Sequence, residues 1–302
     1  MPSLLLAAIL LATPVAHAGP LDGWSPEAQA LFRSLVARKA AETAAGAPRP
    51  VAAFDCDNTL IDGDISNAML SRLAEARSGK GRVDAREAEE RVVQTYCRYD
   101  QLWESGHEIE ACGYLAGLLE GMTPAEASAL GRDALAEARG RPRCLRRLHV
   151  PAGHPPVEME QGIRVRDPMR SLIDYLRGAG WEVFVVSASP QPVVEAAAAL
   201  YGVPADHVLG VGTAMRDERL TSDVLAPVTW RQGKADALRA RTGLRPTLAL
   251  GDAWTDFEML TDAEAAVLID RGKADLVKAV RARGIVVQPR FEGPEALPPC
   301  PE

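Results

Sequence analysis

VAAFDCDNTL, residues 51–60, is the stretch that decides how this chain is interpreted. It begins as a compact apolar strand and ends in two aspartates, Asp55 and Asp57, that a single residue separates. Two carboxylates this close repel each other, so a fold that keeps both must offset their repulsion. A bound cation, a catalytic role or simple exposure in a loop would each do so.

Length and charge restrict the class of protein. The chain has 302 residues, of which 47% are hydrophobic and 25% charged, and this is the composition of an ordinary soluble protein. The formal net charge is −7, and the strongest basic cluster is the short run RPRCLRRL at residues 141–148, which we interpret as a solvated helix end or loop. We therefore expect no nucleic-acid partner.

The N-terminus has the pattern of a secretory signal peptide. An apolar stretch over residues 4–11 is followed by Pro14 and by the small-x-small motif Ala16-His17-Ala18. The stretch is too short for a membrane span, which needs about 20 apolar residues. We expect a periplasmic or secreted protein with no stable membrane anchor after cleavage. The alternative is an uncleaved N-terminal anchor or a disordered apolar leader.

Five cysteines follow this segment. Export would permit disulfide bonds. Cys97, Cys112 and Cys144 fall in one stretch of predicted helices, which favours a pair among them, although spacing does not fix the connectivity among these three and Cys300. Cys56, between the two aspartates, is expected to face the packed side of its strand and to stay unpaired.

The order of predicted elements indicates an α/β fold with a long insert. Residues 64–165 are rich in Ala, Glu, Arg and Leu, and we predict four or five helices there and no strand. After residue 166 strands and helices alternate, which indicates a Rossmann-like parallel sheet with helices on both faces. The predicted division is a signal peptide (1–18), an N-terminal helix and linker (19–50), an α/β core (51–63 and 166–290), an all-helical cap (64–165) and an irregular tail (291–302).

Polar side chains follow several of the predicted core strands. In open α/β sheets, ligands bind beyond the carboxyl ends of the strands, so we expect these side chains to lie together. They comprise four carboxylates, a hydroxyl pair and one ammonium: Asp55, Asp57, Asp252, Asp256, Ser187, Ser189 and Lys234.

This set of groups suits phosphoryl transfer with a divalent cation. Mg²⁺ takes oxygen ligands, commonly one or two carboxylates plus substrate phosphate, and Asp55 and Asp252 are candidates. The Lys234 ammonium and the hydroxyl of Ser187 would bind a phosphate. One carboxylate can then attack phosphorus, while a second carboxyl transfers the proton.

Four motifs in this order resemble those of the haloacid dehalogenase (HAD) superfamily. They are Asp-x-Asp-x-Thr after an apolar strand (residues 55–59), a strand-ending serine (Ser187), a downstream lysine (Lys234) and apolar-Gly-Asp-x-x-x-Asp (residues 250–256). The likeness extends from Val51 to Ile285. The predicted helical insert stands where that superfamily carries its first type of cap domain.

The resemblance implies a role for each motif residue. Asp55 would be the nucleophile and Asp57 the general acid and base. Mg²⁺ would be bound by the Asp55 carboxylate, the Asp57 backbone carbonyl and Asp252, with Asp256 in support. The implied phosphate-binding residues are Thr59, Ser187, Ala188 and Lys234. Because true dehalogenases lack the second aspartate, Asp57 indicates a phosphatase, a phosphoric monoester hydrolase.

Within the superfamily, the strand end VVSAS and the helical cap look closest to the phosphoserine phosphatase-like branch, which includes phosphocholine phosphatases. Asp64 stands nine residues after Asp55, where phosphoserine enzymes place a substrate-reading glutamate, and an acidic residue there suits a cationic leaving group. The alternative is that Asp64 is the N-cap of the first cap helix. The chain departs from the phosphoserine pattern at Trp254, Thr255 and Ala188, which leaves the substrate open.

Aromatic residues gather in one predicted cap helix. Tyr96, Tyr99 and Trp103 are spaced three and four apart, so they share a helix face. Aromatic faces can hold a quaternary ammonium by cation–π attraction, and a packed hydrophobic stripe is the alternative. Arg98 could bind a substrate carboxylate through two hydrogen bonds, or it could be a surface arginine.

We therefore expect an exported, Mg²⁺-dependent phosphomonoesterase that acts through an aspartyl-phosphate. Its substrate would be a small phosphorylated metabolite such as phosphocholine, phosphoethanolamine or phosphoserine. Two alternatives stay open. One is a phosphotransferase that uses the same intermediate, and the other is a non-catalytic HAD-like protein that binds such ligands. The key residue of each motif is present, which argues against the second.

Overall fold

The structure is a computed structural model that describes residues 19–76, 85–150, 157–291 and 296–301. The predicted signal peptide, residues 1–18, lies outside these ranges. Among the described residues, no helix combines the length and the apolar character that crossing a membrane requires.

A six-stranded parallel sheet forms the centre of the molecule. The strands of the chain are β1 (Val51–Phe54), β2 (Ile61–Asp62), β3 (Cys144–Leu148), β4 (Val157–Gln161), β5 (Arg164–Val165), β6 (Glu182–Pro190), β7 (Val208–Val211), β8 (Thr213–Arg216), β9 (Arg219–Val224), β10 (Leu248–Gly251), β11 (Ala265–Ile269) and β12 (Val286–Gln288). The order in the sheet is β12-β11-β10-β1-β6-β7, and each neighbouring pair is parallel. The predicted α/β fold class is confirmed.

Helices cover both faces of this sheet. Including those of the insert, the helices among the described residues are α1 (Pro26–Ala44), α2 (Ile65–Ala76), α3 (Ala85–Glu104), α4 (Glu108–Gly117), α5 (Pro124–Gly140), α6 (Asp167–Gly178), α7 (Gln191–Ala199), α8 (Gln232–Thr242), α9 (Phe257–Asp262) and α10 (Ala274–Arg281). Successive side chains of a strand point to opposite faces. On β1, Phe54 accordingly joins the apolar cluster that includes α1, α6 and α7, while Ala53 joins the one that includes α8, α9 and α10.

The register of the central strands sets the position of the site. Phe54, the last residue of β1, lies alongside Val185 of β6 and Leu250 of β10. The N–H of Asp55 donates to the carbonyl of Leu250 at 2.9 Å. Asp55, Ser187 and Asp252, which stand one or two residues beyond these aligned positions, therefore come together at one edge of the sheet; β6 itself continues past Ser187 to Pro190.

The chain leaves β1 through a single wide turn over Cys56–Leu60. Asn58 has a φ of 61°, in the left-handed region that asparagine tolerates better than most residues. β2 then pairs with β5 in antiparallel fashion, so the two ends of the insert lie side by side. Gly63 (φ 133°) is required at this crossing, because a Cβ there would come within 2.7 Å of the carbonyl oxygen of Gly162.

The insert is not entirely helical, which corrects the prediction of no strand in residues 64–165. Besides α2 to α5 it contains the antiparallel hairpin of β3 and β4. On these strands Cys144, Leu148, Val157 and Met159 are buried, and arginines and glutamates occupy positions between them. The apolar alternation is short and is interrupted by charged residues, so the sequence pattern does not show it.

A disulfide joins this hairpin to the C-terminal tail. Cys144 is bonded to Cys300, so the expected pair among Cys97, Cys112 and Cys144 is wrong. The reason is that Cys144 lies on a strand beside the tail rather than on a helix beside the other two. Cys56 is unpaired and buried as expected, and Cys97 and Cys112 are also free.

Candidate active site

Asp55 lies directly beyond β1, and a buried lysine holds its carboxylate. Nζ of Lys234, in the first turn of α8, is 2.6 Å from Oδ1 of Asp55 and 2.6 Å from Oδ1 of Asp256. All three residues are at most 5% exposed. Although burial disfavours the charged lysine, the carboxylates of Asp256 and Asp55 keep the pKa of Lys234 above its usual value. The ammonium therefore stays charged between the two aspartates.

The turn after β10 brings Asp252 and Asp256 together. Oδ2 of Asp256 accepts hydrogen bonds from the N–H groups of Asp252 and Ala253, both at 3.0 Å. A Cβ on Gly251 would lie 2.5 Å from the Cβ of Asp256, so only glycine fits before Asp252. Burial and the charge of Asp256 raise the pKa of Asp252, against the opposing effect of Arg271.

Asp57 has hydrogen-bonding partners quite different from those of Asp55. Its Oδ1 accepts the N–H of Ile65 at 2.6 Å, and its Oδ2 accepts the hydroxyl of Ser189 at 2.6 Å and that of Ser187 at 3.4 Å. Burial raises the pKa of Asp57, while the hydrogen bonds from Ile65 and Ser189 lower it, and the net shift is upward. A carboxyl with a raised pKa is suited to carrying a proton in catalysis.

The buried carboxylates fit a divalent cation. Asp55, Asp252 and Asp256 each place an oxygen within 4.8 Å of the other two. Together with Asp57 they give four carboxyl groups, and the cations that contact the three are the ammonium of Lys234 and the guanidinium of Arg271, which Glu160 shares, so acidic groups outnumber cations. Burial and the charge of Asp256 hold the pKa of Asp55 well above its usual range. Oxygen ligands with excess negative charge are what Mg²⁺ requires.

The predicted phosphate-binding residues lie around these carboxylates. Thr59 is fully buried, and its hydroxyl donates to Oδ1 of Asp252 at 3.2 Å. The hydroxyl of Ser187 lies beside Asp57 and accepts the N–H of Ser189 at 3.1 Å. Ala188 packs against a small apolar cluster of Cys112, Ala116 and Val211, and so does Trp103. The structure thus brings the four predicted segments to one edge of the sheet.

Asp64 caps the first helix of the insert. Its Oδ1 accepts the N–H of Asn67 at 2.9 Å, three residues on, which is the geometry of an N-cap. Burial and the charge of Asp57 raise the pKa of Asp64 to about 7. Asp64 therefore caps α2, and its carboxyl also interacts electrostatically with Asp57.

The predicted aromatic residues form a continuous row on α3. The ring centroids of Tyr96 and Tyr99 are 6.1 Å apart, and those of Tyr99 and Trp103 are 5.6 Å apart. The row continues to the half-buried Trp230, which precedes α8 and whose ring centroid lies 4.7 Å from that of Trp103. Arg98, by contrast, is exposed and donates to Gln101 of its own helix at 3.1 Å, so the structure does not bring it to the carboxylates.

Sequence reasoning missed three residues of this region. Trp230 completes the aromatic row, and Arg271 lies 3.4 Å from Asp252 and 3.1 Å from Glu160. Arg271 comes two residues after β11, so the rule of polar groups at strand ends could have found it. Glu160 lies on the unpredicted hairpin and has no sequence signal.

The family comparison agrees with this geometry. Residues 52–261 match the model of the haloacid dehalogenase-like hydrolases. A phosphoserine phosphatase from Halobacterium salinarum is 36% identical over 104 residues, which make up 33% of this chain and 49% of that protein. The chain thus spans about half the length of this curated relative.

Solved structures share the fold. A conserved protein of unknown function from Anaerococcus prevotii matches with a TM-score of 0.67 at 20% identity, over 87% of this chain and 92% of that one. A protein of unknown function from Bordetella pertussis matches with a TM-score of 0.60 at 20% identity, over 80% and 98%. The family match spans all four motifs whose side chains meet at the sheet edge, and the chain belongs to the haloacid dehalogenase-like hydrolase family.

Proposed function

We propose that this protein is a phosphatase that hydrolyses small phosphate monoesters. The observation that carries the proposal is the meeting of two differently held carboxylates, Asp55 and Asp57, with the buried ammonium of Lys234. This combination provides a nucleophile, a proton carrier and a positive charge for a phosphoryl group. The likeness to a phosphoserine phosphatase supports the same activity.

The reaction takes place in two steps. Lys234 contacts Oδ1 of Asp55, so we assign Oδ2 as the atom that attacks phosphorus. The bond from phosphorus to the ester oxygen breaks, and Asp57 gives its proton to the departing alcohol. Asp57 then takes a proton from water as that water attacks the aspartyl-phosphate, which releases phosphate and restores Asp55.

Residues beside the nucleophile would hold Mg²⁺. We assign the carboxylates of Asp55 and Asp252 and the backbone carbonyl of Asp57 as ligands. Asp256 is bound to Lys234 and to two backbone N–H groups, which favours a supporting role. When bound, the cation supplies positive charge that offsets the substrate phosphate and the excess charge of the carboxylates.

We infer a substrate with a cationic leaving group, such as phosphocholine, phosphoethanolamine or phosphoserine. The aromatic row supports this class, because aromatic faces attract ammonium groups. Negative charge acts on Tyr96: burial, and then the charges of Asp64, Asp100 and Glu160, raise the pKa of Tyr96 to about 12. Aromatic faces flanked by negative charge suit a cation better than a neutral alcohol.

The same proposal assigns residues 64–165 as a cap over a core formed by residues 51–63 and 166–290. Residues 19–50 and 291–302 would flank that core. We also propose export to the periplasm or the cell exterior without a lasting membrane anchor. The leader pattern of residues 1–18 supports it, as does the Cys144–Cys300 disulfide, since such bonds persist in oxidising compartments.

Hydrolysis of p-nitrophenyl phosphate by the purified chain tests the activity. We expect turnover with Mg²⁺, loss of turnover with EDTA and recovery when Mg²⁺ is restored. Asp55→Asn should lower kcat/KM by a factor on the order of 10³ or more, because it removes the nucleophile. Asp174→Asn, at an exposed position on α6, is the matched control. Full activity of Asp55→Asn would overturn the proposal, and a panel of the three named esters would rank the substrates.

A further inference from the structure

Asp252 is held from two sides by side chains of different segments. The hydroxyl of Thr59 donates to its Oδ1 at 3.2 Å, and Nη1 of Arg271 lies 3.4 Å from its Oδ2. The side chain of Arg271 is 24% exposed, whereas that of Asp252 is 4% exposed. The guanidinium thus reaches inward from the surface to fix the second oxygen of a buried carboxylate.

The insert in turn holds Arg271. Its Nη2 lies 3.1 Å from Oε1 of Glu160 on β4. The other carboxylate oxygen of Glu160 lies 2.9 Å from Nη2 of Arg143, whose side chain is only 10% exposed. Arg143 also donates to the backbone carbonyls of Gln161 and Gly162, at 3.0 and 3.1 Å. Glu160 is therefore fixed between two arginines, one in the hairpin region and one beside the candidate metal ligand.

The hairpin that carries Glu160 is fastened to the C-terminal tail. Cys144 lies alongside Gln161 in the β3–β4 register, one residue from Glu160, and it is bonded to Cys300. Backbone hydrogen bonds also join Leu145 to the tail: its N–H donates to Pro298 at 2.8 Å, and its carbonyl accepts the N–H of Cys300 at 2.9 Å. A continuous path of contacts thus runs from the tail through the hairpin to Asp252.

We propose that Arg271 and Glu160 are positioning residues for Asp252, and that the Cys144–Cys300 disulfide keeps the hairpin where Glu160 can hold Arg271. The inference rests on the proposed function, which assigns Asp252 to a Mg²⁺ site. A guanidinium repels a nearby cation, so charge alone would make Arg271 weaken Mg²⁺ binding. Orientation of the ligand has the opposite effect, and partners of metal ligands commonly change metal affinity by about 10- to 100-fold.

Calorimetric titration of Mg²⁺ into the purified full-length chain tests this inference without relying on activity. Arg271→Gln should raise the Kd for Mg²⁺ by about tenfold, because Asp252 loses the donor to one oxygen. Glu160→Gln should also raise the Kd for Mg²⁺, but by a smaller factor. The double variant should bind no more weakly than Arg271→Gln alone, because Glu160 acts through Arg271.

Two controls, one on the hairpin itself and one at a cysteine elsewhere in the insert, separate positioning from general damage. Glu158→Gln alters another Arg–Glu pair of the hairpin, with the exposed Arg147, and should leave the Kd unchanged. Cys144→Ala/Cys300→Ala should also raise the Kd, by no more than Glu160→Gln does, and an unchanged Kd would remove the disulfide from the proposal. Cys97→Ala, at a free cysteine, should not change it.

The outcomes distinguish this inference from the proposed function. If wild-type protein gives no Mg²⁺ isotherm, the metal assignment of the proposed function fails and the inference fails with it. If wild type binds Mg²⁺ and Arg271→Gln binds it equally or more tightly, the inference alone is overturned. If the effects of Arg271→Gln and Glu160→Gln on the Kd are additive in the double variant, Glu160 does not act through Arg271. If the cysteine variant does not fold, Glu160→Gln still decides the role of Glu160, and Mg²⁺ titration of wild type after reduction of the disulfide decides the role of the bond.

Discussion

Asp55 and Asp57 are one residue apart, yet their carboxylates have different partners. An ammonium compensates Asp55, whereas hydroxyl and backbone N–H groups hold Asp57. Cys56 between them is fully buried, and burial raises the pKa of its thiol, so it packs rather than reacts. The repulsion between the two carboxylates is thus offset by different partners for each, on the two sides of the buried Cys56.

The hydroxyl of Ser189 should set the pH dependence through Asp57. It donates to Oδ2 at 2.6 Å and thereby stabilises the ionised carboxylate. Ser189→Ala removes that stabilisation, so the pKa of Asp57 rises. The nitrophenolate of p-nitrophenyl phosphate is a good leaving group and departs without the proton of Asp57, so with this substrate the pH dependence comes from the second step. In that step Asp57 must be ionised to take a proton from water, and activity is lost as pH falls through its pKa. The acid limb of the kcat profile should therefore move up by about one pH unit, since a hydrogen bond to a charged group contributes about 1.5 kcal/mol.

The measurement is kcat for p-nitrophenyl phosphate from pH 4 to 9 at saturating Mg²⁺. Ser105→Ala, which removes an exposed hydroxyl bonded only to carbonyls and a histidine of its own segment, should leave the acid limb in place. A limb that stays fixed in Ser189→Ala, or moves to lower pH, would contradict the role given to Asp57.

At the scale of elements, α3 packs its row of rings against the interior, and the proposed function also assigns these rings to substrate recognition. Tyr96 and Tyr99 pack against the main apolar cluster, and Trp103 packs with Ala188 and Trp230. The two sequence alternatives, a packed stripe and a cation-binding surface, therefore do not exclude each other. A half-buried ring can rest one edge on the core and present a face to a ligand.

Tyr99→Leu should raise the KM for phosphocholine about five- to tenfold, because it removes a cation–π contact of about 1 kcal/mol while leucine still fills the packed side. Tyr99→Phe keeps the aromatic face and should stay near wild type. Steady-state kinetics with phosphocholine and p-nitrophenyl phosphate, side by side, measure the difference. Equal loss with both substrates would show that Tyr99 supports the fold of α3 and not the recognition of a cation.

The sequence predicts elements whose pattern is local. A continuous apolar run that ends in Asp, Ser or Gly-Asp must place those polar groups at a sheet edge, which is why the segments at Asp55, Ser187 and Asp252 were predictable. The hairpin of β3 and β4 was not, because charged residues interrupt its alternation and its stability depends on a partner strand elsewhere in the chain. The role of Asp64 could not be predicted from the sequence either, because its position fits both a helix N-cap and a substrate contact.

At the scale of the whole molecule, contacts between distant segments complete the site. Glu160 and Arg271 are 111 residues apart, and Cys144 and Cys300 are 156 residues apart. No periodicity relates such positions, because each pair is brought together by the return of the chain through the sheet and around the insert. The strand-end groups of the candidate site were therefore predictable, whereas the side chains that hold them were not.

The disulfide should also stabilise the entire fold. A bond across 156 residues restricts the unfolded chain, and native disulfides commonly contribute about 2–4 kcal/mol. We expect Cys144→Ala/Cys300→Ala to lower the free energy of unfolding by this amount in urea denaturation, with Cys97→Ala unchanged. A dithiol reductant should lower the stability of wild type to that of the cysteine variant and leave the variant itself unaffected. If oxidised and reduced wild type unfold at the same urea concentration, the tail is held by packing alone and the covalent bond is dispensable for the fold.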